Sequence, residues 1–288
     1  MFDQLAPLVF VGIWATGFIV ARLVVPHAEP LTFLVIRFGL SAVVFAVMAI
    51  AARVRWPRQP AAWGNAMLCG VLMQAAYVDG VFWSVRHGLL AALAALLGGL
   101  QPLMTAILSA PLLGERVSGR RWAGIATGFM GALLVLGPGL LTPGARGGVP
   151  LTPLLVCFSG IFAMTLGTIL QKRTARGIDL RSNAAIQFIG AFAVTLPAAW
   201  LLENWGFDGS VVVWGALLWA VFGLSVVAIS VLLLLLRRGA VAGVASLFYL
   251  VPPVAAVIAY LAFGDLLSPV QIVGMAVAAV GVAVANRS

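Results

Sequence analysis

At 288 residues, 63% of them hydrophobic and only 9% charged, the chain cannot present the surface of a soluble domain, which is about 25% charged. A mean hydropathy of +1.13 makes lipid the solvent for most of the polypeptide. Seventeen Lys and Arg against eight Asp and Glu leave a net charge of +9, but the cations sit in short clusters between apolar runs, which argues against a nucleic-acid partner.

A membrane-spanning helix needs about 20 apolar residues. Runs of that kind lie near 5–25, 31–53, 62–85, 88–113, 119–137, 151–173, 182–202, 211–236, 239–263 and 269–285. The opening Met1-Phe2-Asp3-Gln4 lacks the positive segment of a cleavable signal peptide, so the first run is expected to remain as a span. It carries Trp14 near its middle, with Thr16 and Gly17 beside it. In the third run Gly70, Gln74 and Tyr77 recur at helical spacing and share a face, with Asp79 just beyond them. The fourth holds Ala91, Ala94, Gly98, Gln101 and Thr105 in a small-residue stripe suited to close helix packing. Pro102 is expected to break that helix beside Gln101. A Gly/Pro-rich stretch from Gly137 to Pro150 then separates five runs from five. The second set contributes Phe162, Gln187, Phe248 and Tyr249, and its ninth run must bend at Pro252-Pro253. Trp56, Trp63, Trp122, Trp200 and Trp205 fall near run ends, where an interfacial belt accounts for them.

With the N-terminus placed in the cytoplasm, thirteen of the seventeen cations fall inside, Arg22, Arg86 and Arg146 fall outside, and Arg37 falls within a span. That asymmetry satisfies the positive-inside rule and puts both termini in the cytoplasm. An odd number of spans per half inverts the second half, and weak internal similarity follows the same division. Gly12-Ile13-Trp14-Ala15 matches Gly160-Ile161-Phe162-Ala163. At an offset of 150, Pro102 meets Pro252, Gly114 meets Gly264, Glu115 meets Asp265, Ser118 meets Ser268, Gly124 meets Gly274 and Gly131 meets Gly281. The reading is an all-α integral membrane protein of ten transmembrane helices. A five-helix repeat over 1–137, a linker over 138–150 and an inverted five-helix repeat over 151–288 compose it.

The sequence carries no enzymatic constellation. His27 and His87 fall in outer loops, and no phosphate-binding loop, H-E-x-x-H motif or nucleophile elbow is present. Cys69 and Cys157 lie inside apolar runs, so neither a disulfide nor a metal is indicated. No catalytic residue, metal or cofactor is expected, and a membrane enzyme or a receptor is a poorer reading than a transporter.

Polar groups within spans are costly in lipid and normally face the bundle interior. Gln74, Tyr77, Gln101, Gln187 and Tyr249 are therefore candidate substrate contacts, with Thr16 as a further polar group. Trp14, Phe162 and Phe248 are candidates for an apolar wall. Pro102 and Pro252 are candidate gating bends. Arg37 and Asp79 are the ionisable residues deepest in the spans, each about six residues from an outer end, or roughly 9 Å down. At equal depth on neighbouring helices they are expected to pair directly or to share a water-filled outer vestibule.

The chain resembles the drug/metabolite transporter superfamily, in particular its EamA-type members. The resemblance rests on Gly114-Glu115-x-x-Ser118 with Gly124 and Gly131, repeated as Gly264-Asp265-x-x-Ser268 with Gly274 and Gly281. Asp265 departs from the family's Glu. Within the family the chain looks most like YddG-type bacterial amino-acid exporters. The resemblance implies a multi-pass protein of the bacterial inner membrane whose partners are the bilayer and a small-molecule substrate. It also implies a central cavity lined by the first four helices of each half. The fifth and tenth helices would be peripheral, their glycine faces packed on the bundle or on another protomer. The first span lacks the acid on which small multidrug exporters of the superfamily rely, which disfavours that mechanism. A nearly charge-free interior suits export of neutral, zwitterionic metabolites, amino acids including aromatic ones. Export of other small metabolites or drugs is the alternative.

Overall fold

The structure, a computed structural model, describes residues 2–89, 94, 97–114, 117–140, 150–175, 177–238, 244, 246–263 and 268–286. Helices are numbered here in chain order: α1 Phe2–Val24, α2 Pro30–Ala51, α3 Pro60–Arg86, α4 Gln101–Leu113, α5 Gly119–Leu140, α6 Leu151–Thr174 and α7 Leu180–Leu202. In α8, Val211–Trp219 continues through Ala220–Ala228 into Ile229–Arg238; α9 is Val251–Phe263, entered by a 3₁₀ turn at Leu247–Leu250, and α10 is Pro269–Asn286. Six of these, α1, α2, α3, α6, α7 and α8, are long and apolar enough to cross a membrane, while Gln101–Leu113, Leu247–Ala262 and Pro269–Ala285 are apolar but shorter. Among the described residues the one β contact is an isolated antiparallel bridge, Ala28 with Phe207, joining the α1–α2 and α7–α8 loops.

Local chemistry sets the helix ends. Pro30 and Pro60 occupy first turns, where a missing N–H costs nothing. The fourth apolar run is not one helix up to Leu113: the chain turns at residues 99–100 and α4 begins at Gln101 with Pro102 in its first turn. Pro102 thus starts a helix rather than bending one. Gly114 closes α4 with a left-handed φ of +70°, the usual helix-ending conformation that glycine takes without penalty. Ser118 then accepts from Arg121 N–H (3.3 Å) at the start of α5. Ser268 does the same for α10: its Oγ accepts from Gln271 N–H (3.3 Å) while Gln271 Oε1 accepts from Ser268 N–H (2.9 Å), a reciprocal cap. In its first copy the Gly-acid-x-x-Ser motif is therefore a stop followed by a start, and in the second copy the described part, Ser268, is again a start. Its members Glu115, Gly264 and Asp265, with most of the 138–150 linker, lie outside the described residues.

Helix association in lipid depends on close packing rather than on burial from water, and glycines set the closest approaches. A Cβ at Gly124 would lie 2.4 Å from Ala285 N, one at Gly131 2.3 Å from Ala278 N, and one at Gly281 2.2 Å from Gly128 N. The glycine faces of α5 and α10 thus pack on each other, a more specific outcome than packing on the bundle or on another protomer. A second set surrounds α3: Gly160 and Gly167 of α6 meet Ala76 O and Met73, and Gly190 of α7 meets Met67 O. Helices α2 and α7 interlock through Phe38, Phe45 and Phe188, with ring centroids 6.1 and 5.7 Å apart.

Both α3 and α8 contain a nine-residue π-helical stretch, Val71–Asp79 and Ala220–Ala228. Single π turns inside α-helices cluster at functional positions, and here both stretches face the same cavity.

Candidate functional site

A cavity of about 60 Å³ lies between α1, α2, α3 and α8, bounded among others by Trp14, Arg37, Gln74, Tyr77, Phe82 and Leu224. Its free space holds a few waters. One wall is aromatic: Trp14 meets Phe248 edge-on at 5.3 Å, and Phe10 completes the cluster at 5.1 Å from Trp14 and 5.3 Å from Phe248. Such tilted and edge-to-face contacts fix ring positions. Phe82 is held from behind by stacking on Phe33.

The polar groups come from the π stretches and from α2. Gln74 is 2% exposed and lines the cavity, and no described residue hydrogen-bonds its amide. Arg37 is 6% exposed and lines it too; its Nε donates to Ser225 Oγ (3.2 Å), and Ser225 Oγ donates to Ala220 O (3.0 Å). Asp79 is half-buried and accepts from Thr195 Oγ1 (2.5 Å). The expected direct pairing of Arg37 with Asp79 does not occur. Each takes one hydroxyl on another helix, Ser225 for Arg37 and Thr195 for Asp79, while Asp79 Oδ1 stays buried and unpaired and the two charges still interact through space. Arg37 is the one charged residue among the described residues bounding the cavity, in an interior expected to be nearly charge-free.

Of the nine candidate contacts, Trp14, Gln74 and Tyr77 line this cavity, and Phe248 backs it. The other five lie elsewhere. Thr16 Oγ1 donates to Ile13 O (2.6 Å) and accepts from Trp219 Nε1 (2.8 Å), so it joins α1 to α8. Gln187 Nε2 donates to Gln171 Oε1 (2.7 Å), beside a separate hollow bounded by Gln171, Lys172, Leu236 and Arg237. Tyr249 is fully buried with its ring against Gly128 of α5. Phe162 is 42% exposed and stands apart from the cavity. Gln101 is buried with neither amide atom paired, and the Thr105 and Tyr249 hydroxyls are likewise unpaired. Of the two candidate bends, Pro102 is buried at the start of α4, and Pro252 lies in the first turn of α9, its side chain outside the described residues.

Two carboxylates that the sequence did not single out tie the α1–α2 connection to the α7–α8 connection. Glu203, at the end of α7, accepts from Leu31 N–H (2.9 Å), Thr32 N–H (2.7 Å) and Thr32 Oγ1 (2.9 Å), capping α2 from another helix. Glu29, just before α2, accepts from Asn204 N–H and Gly206 N–H (2.8 Å each) and faces Arg86 at 3.6 Å. The exchange is reciprocal: each loop's acid satisfies the other's backbone donors, as an N-terminal carboxylate should. His27 Nδ1 lies 2.6 Å from Asp208 Oδ2 in the same loop pair. The Ser210 backbone N–H and then His27 hold the Asp208 carboxyl below its ordinary range. An acid just outside a predicted span end, next to a proline-started helix, was the available signal for Glu29.

At the opposite ends of α6 and α8 the exchange uses cations. Lys172 Nζ donates to Leu236 O (2.6 Å), and Arg237 donates to Ala175 O (3.4 Å) and Ile178 O. Each helix thus supplies a cation to carbonyls at or just past the other's C-terminus, where the helix dipole favours positive charge. Among the described residues no group of three His, Cys, Asp or Glu could hold a metal ion.

The EamA-like transporter family matches this chain twice, over residues 4–137 and 151–287. The chain belongs to that family. A probable terminal-alkyne amino-acid exporter of Streptantibioticus cattleyicolor is 28% identical over 267 residues, covering 83% of this chain and 79% of that protein. A probable amino-acid metabolite efflux pump of Escherichia coli K12 is 28% identical over 172 residues, covering 59% of this chain and 54% of that protein. A solved structure described as "Crystal structure of protein" superposes with a TM-score of 0.83 at 21% identity, over 98% of this chain and 95% of its own. That likeness shows the fold alone. Family membership makes this EamA-like protein a membrane transporter.

Proposed function

We propose that the protein is a secondary transporter or facilitator that exports neutral, zwitterionic metabolites, amino acids including aromatic ones, across the bacterial inner membrane. The observation that carries this reading is the cavity between α1, α2, α3 and α8. It joins Trp14, backed by Phe248, to the side chain of Gln74, which no described residue hydrogen-bonds. An apolar wall beside a few convergent polar groups is the usual form of a small-molecule site, and the named functions of the two relatives agree with it.

In this reading ten spans form two inverted five-helix repeats, 1–137 and 151–288, joined by the 138–150 linker, with both termini in the cytoplasm. The twofold family match and the cation asymmetry support it. Alternating access then proceeds by rocking one repeat against the other. The Glu29–Glu203 exchange closes the outer end. The Lys172–Arg237 exchange closes the inner end, and chain breaks at Pro102 and Pro252 absorb the movement.

The test is uptake of labelled neutral amino acids into proteoliposomes of the purified protein, with and without a proton gradient. Saturable flux of at least one neutral amino acid, competed by its unlabelled form, is the expected result. Flux of cationic drugs or sugars with none for any amino acid would replace this reading by the wider metabolite or drug exporter.

A further inference from the structure

We infer that Arg37 is the carboxylate anchor of the transport site: its guanidinium, tied at Nε and open at its two terminal nitrogens, takes the substrate's carboxylate end-on. The inference rests on the amino-acid reading above and assigns the group that the cavity recognises.

The geometry is specific. Ser225 gives its own proton to Ala220 O, so its oxygen presents a lone pair to Arg37 Nε. That bond uses one of the five guanidinium donors and fixes the plane of the fork. The remaining four lie on the terminal nitrogens, and no described residue accepts from them. Asp79, the acid at matching depth, accepts from Thr195 through Oδ2, keeps Oδ1 unpaired and is not within ion-pair distance of Arg37. A buried guanidinium lining a cavity with four idle donors matches a planar carboxylate, which two parallel N–H···O bonds hold in one orientation.

The neighbouring groups complete a zwitterion site. Gln74 Oε1 can accept from the α-ammonium, and the Trp14 and Phe82 rings and Leu224 are placed for the side chain. The cavity's free space suits the charged head group. Lysine at position 37 would keep the charge and lose the fork, so the assignment distinguishes a planar anion from charge alone.

The experiment measures binding by isothermal titration of the full-length protein in lipid nanodiscs. The probes are L-phenylalanine and L-phenylalaninamide, at about pH 6, below the α-amino range so that both carry the ammonium. The native protein is expected to prefer the acid about 30-fold, the ratio that a bidentate charge-assisted pair supports. Arg37→Gln should reduce that preference to about threefold or less, mainly by weakening the acid. Ser225→Ala, which leaves the charge in place and unties the fork, should reduce it about three- to tenfold. Asp79→Asn should leave it above about tenfold, because Asp79 acts on Arg37 through space and does not occupy its terminal nitrogens.

Equal binding of acid and amide by the native protein, or an unchanged preference in Arg37→Gln, would overturn the assignment while leaving amino-acid transport standing. Should Arg37→Gln fail to fold, Arg37→Lys is read in the same way, with a fall of about fivefold expected and an unchanged ratio counting against the fork. If the liposome screen finds no amino-acid flux and no phenylalanine binds, both readings fall together.

Discussion

Substituting alanine at Gly281 tests whether the α5–α10 contact is a close backbone approach. The new Cβ would stand 2.2 Å from Gly128 N, 2.6 Å from Gly128 Cα and 2.8 Å from Gly124 O. All three are backbone atoms, so no rotamer change relieves the overlap. Reaching ordinary contact near 3.5 Å means separating the helices by more than an ångström. The same movement opens the matched contacts at Gly124–Ala285 and Gly131–Ala278. Overpacking of this kind costs about 1–3 kcal/mol, and the rigid surroundings place Gly281→Ala at the upper end. Gly64→Ala is the matched control, because a Cβ there meets nothing within 4 Å. It should stabilise α3 by up to about 1 kcal/mol through helix propensity. At about 2 °C per kcal/mol for a chain of this size, the two variants should differ in Tm by about 6–8 °C, with opposite signs relative to the native protein. Thermal unfolding in detergent, followed by thiol labelling of the buried Cys69 and Cys157, reads the difference. A Gly281→Ala protein as stable as Gly64→Ala would refute the close approach.

Glu203→Gln removes a carboxylate that accepts three hydrogen bonds at the start of α2; a loss of about 1.5–3 kcal/mol in thermal unfolding is expected, with Thr32→Val losing distinctly less. Asp208→Asn is a pH test. Because the native carboxyl lies below its ordinary value of 3.8, its contribution is full above that value and disappears as pH falls through the bound one. Native and Asp208→Asn proteins should therefore differ in Tm at neutral pH and converge below about pH 4, whereas a constant gap would show that the shift plays no part. Arg53, exposed after α2, holds a left-handed φ of +50°; Arg53→Gly should raise stability by about 1 kcal/mol, and a lower Tm would contradict that account of the helix end.

The apolar runs gave the six long helices almost to their observed bounds, because one lipid-length stretch of Leu, Val, Ala and Phe admits few alternatives. The fourth and ninth runs were harder. Length and composition favour a continuous span, while the chain turns before Gln101 and enters α9 through a 3₁₀ turn at Leu247–Leu250. Hydropathy cannot register where a missing proline N–H lets a helix restart. The site was legible in part: Gln74, Tyr77 and Trp14 followed from polar or mid-span position, and they do share a cavity. Thr16, Gln187 and Tyr249 are as buried or as polar, but each turned toward another helix. A sequence shows that a polar group lies within a span, not which neighbouring helix it faces. Arg37 was visible as the lone cation inside a span, and of the two arrangements expected with Asp79 the direct ion pair is not formed, because equal depth says nothing of azimuth around the helix.

Internal similarity has the same blind spot. Gly12-Ile13-Trp14-Ala15 and Gly160-Ile161-Phe162-Ala163 match residue for residue in kind, yet a Cβ at Gly12 meets nothing, whereas one at Gly160 would lie 2.7 Å from Ala76 O. Trp14 lines the cavity and Phe162 is exposed. Matched positions therefore carry one local backbone and two environments. The π stretches show where the correspondence does hold. They begin 149 residues apart, at Val71 and Ala220, with no proline inside either. A π turn inserts one extra residue, so the groups that would bond at i−4 are displaced by one position. In α8 this brings Ser225 Oγ to Ala220 O, five residues back, and leaves its lone pair for Arg37. In α3 the stretch carries Gln74 and Tyr77 into the same cavity. One backbone irregularity, present in both halves, thus supplies a hydrogen-bond acceptor from one side and two polar side chains from the other. Deleting a single residue within either stretch would remove the extra residue and let a regular α-helix form, moving the side chains of the stretch by one position relative to the flanking turns. Deleting one residue between Val71 and Asp79 should then abolish transport while a deletion in the loop before Pro60 does not, and equal activity of the two would deny the π stretch its role in building the site.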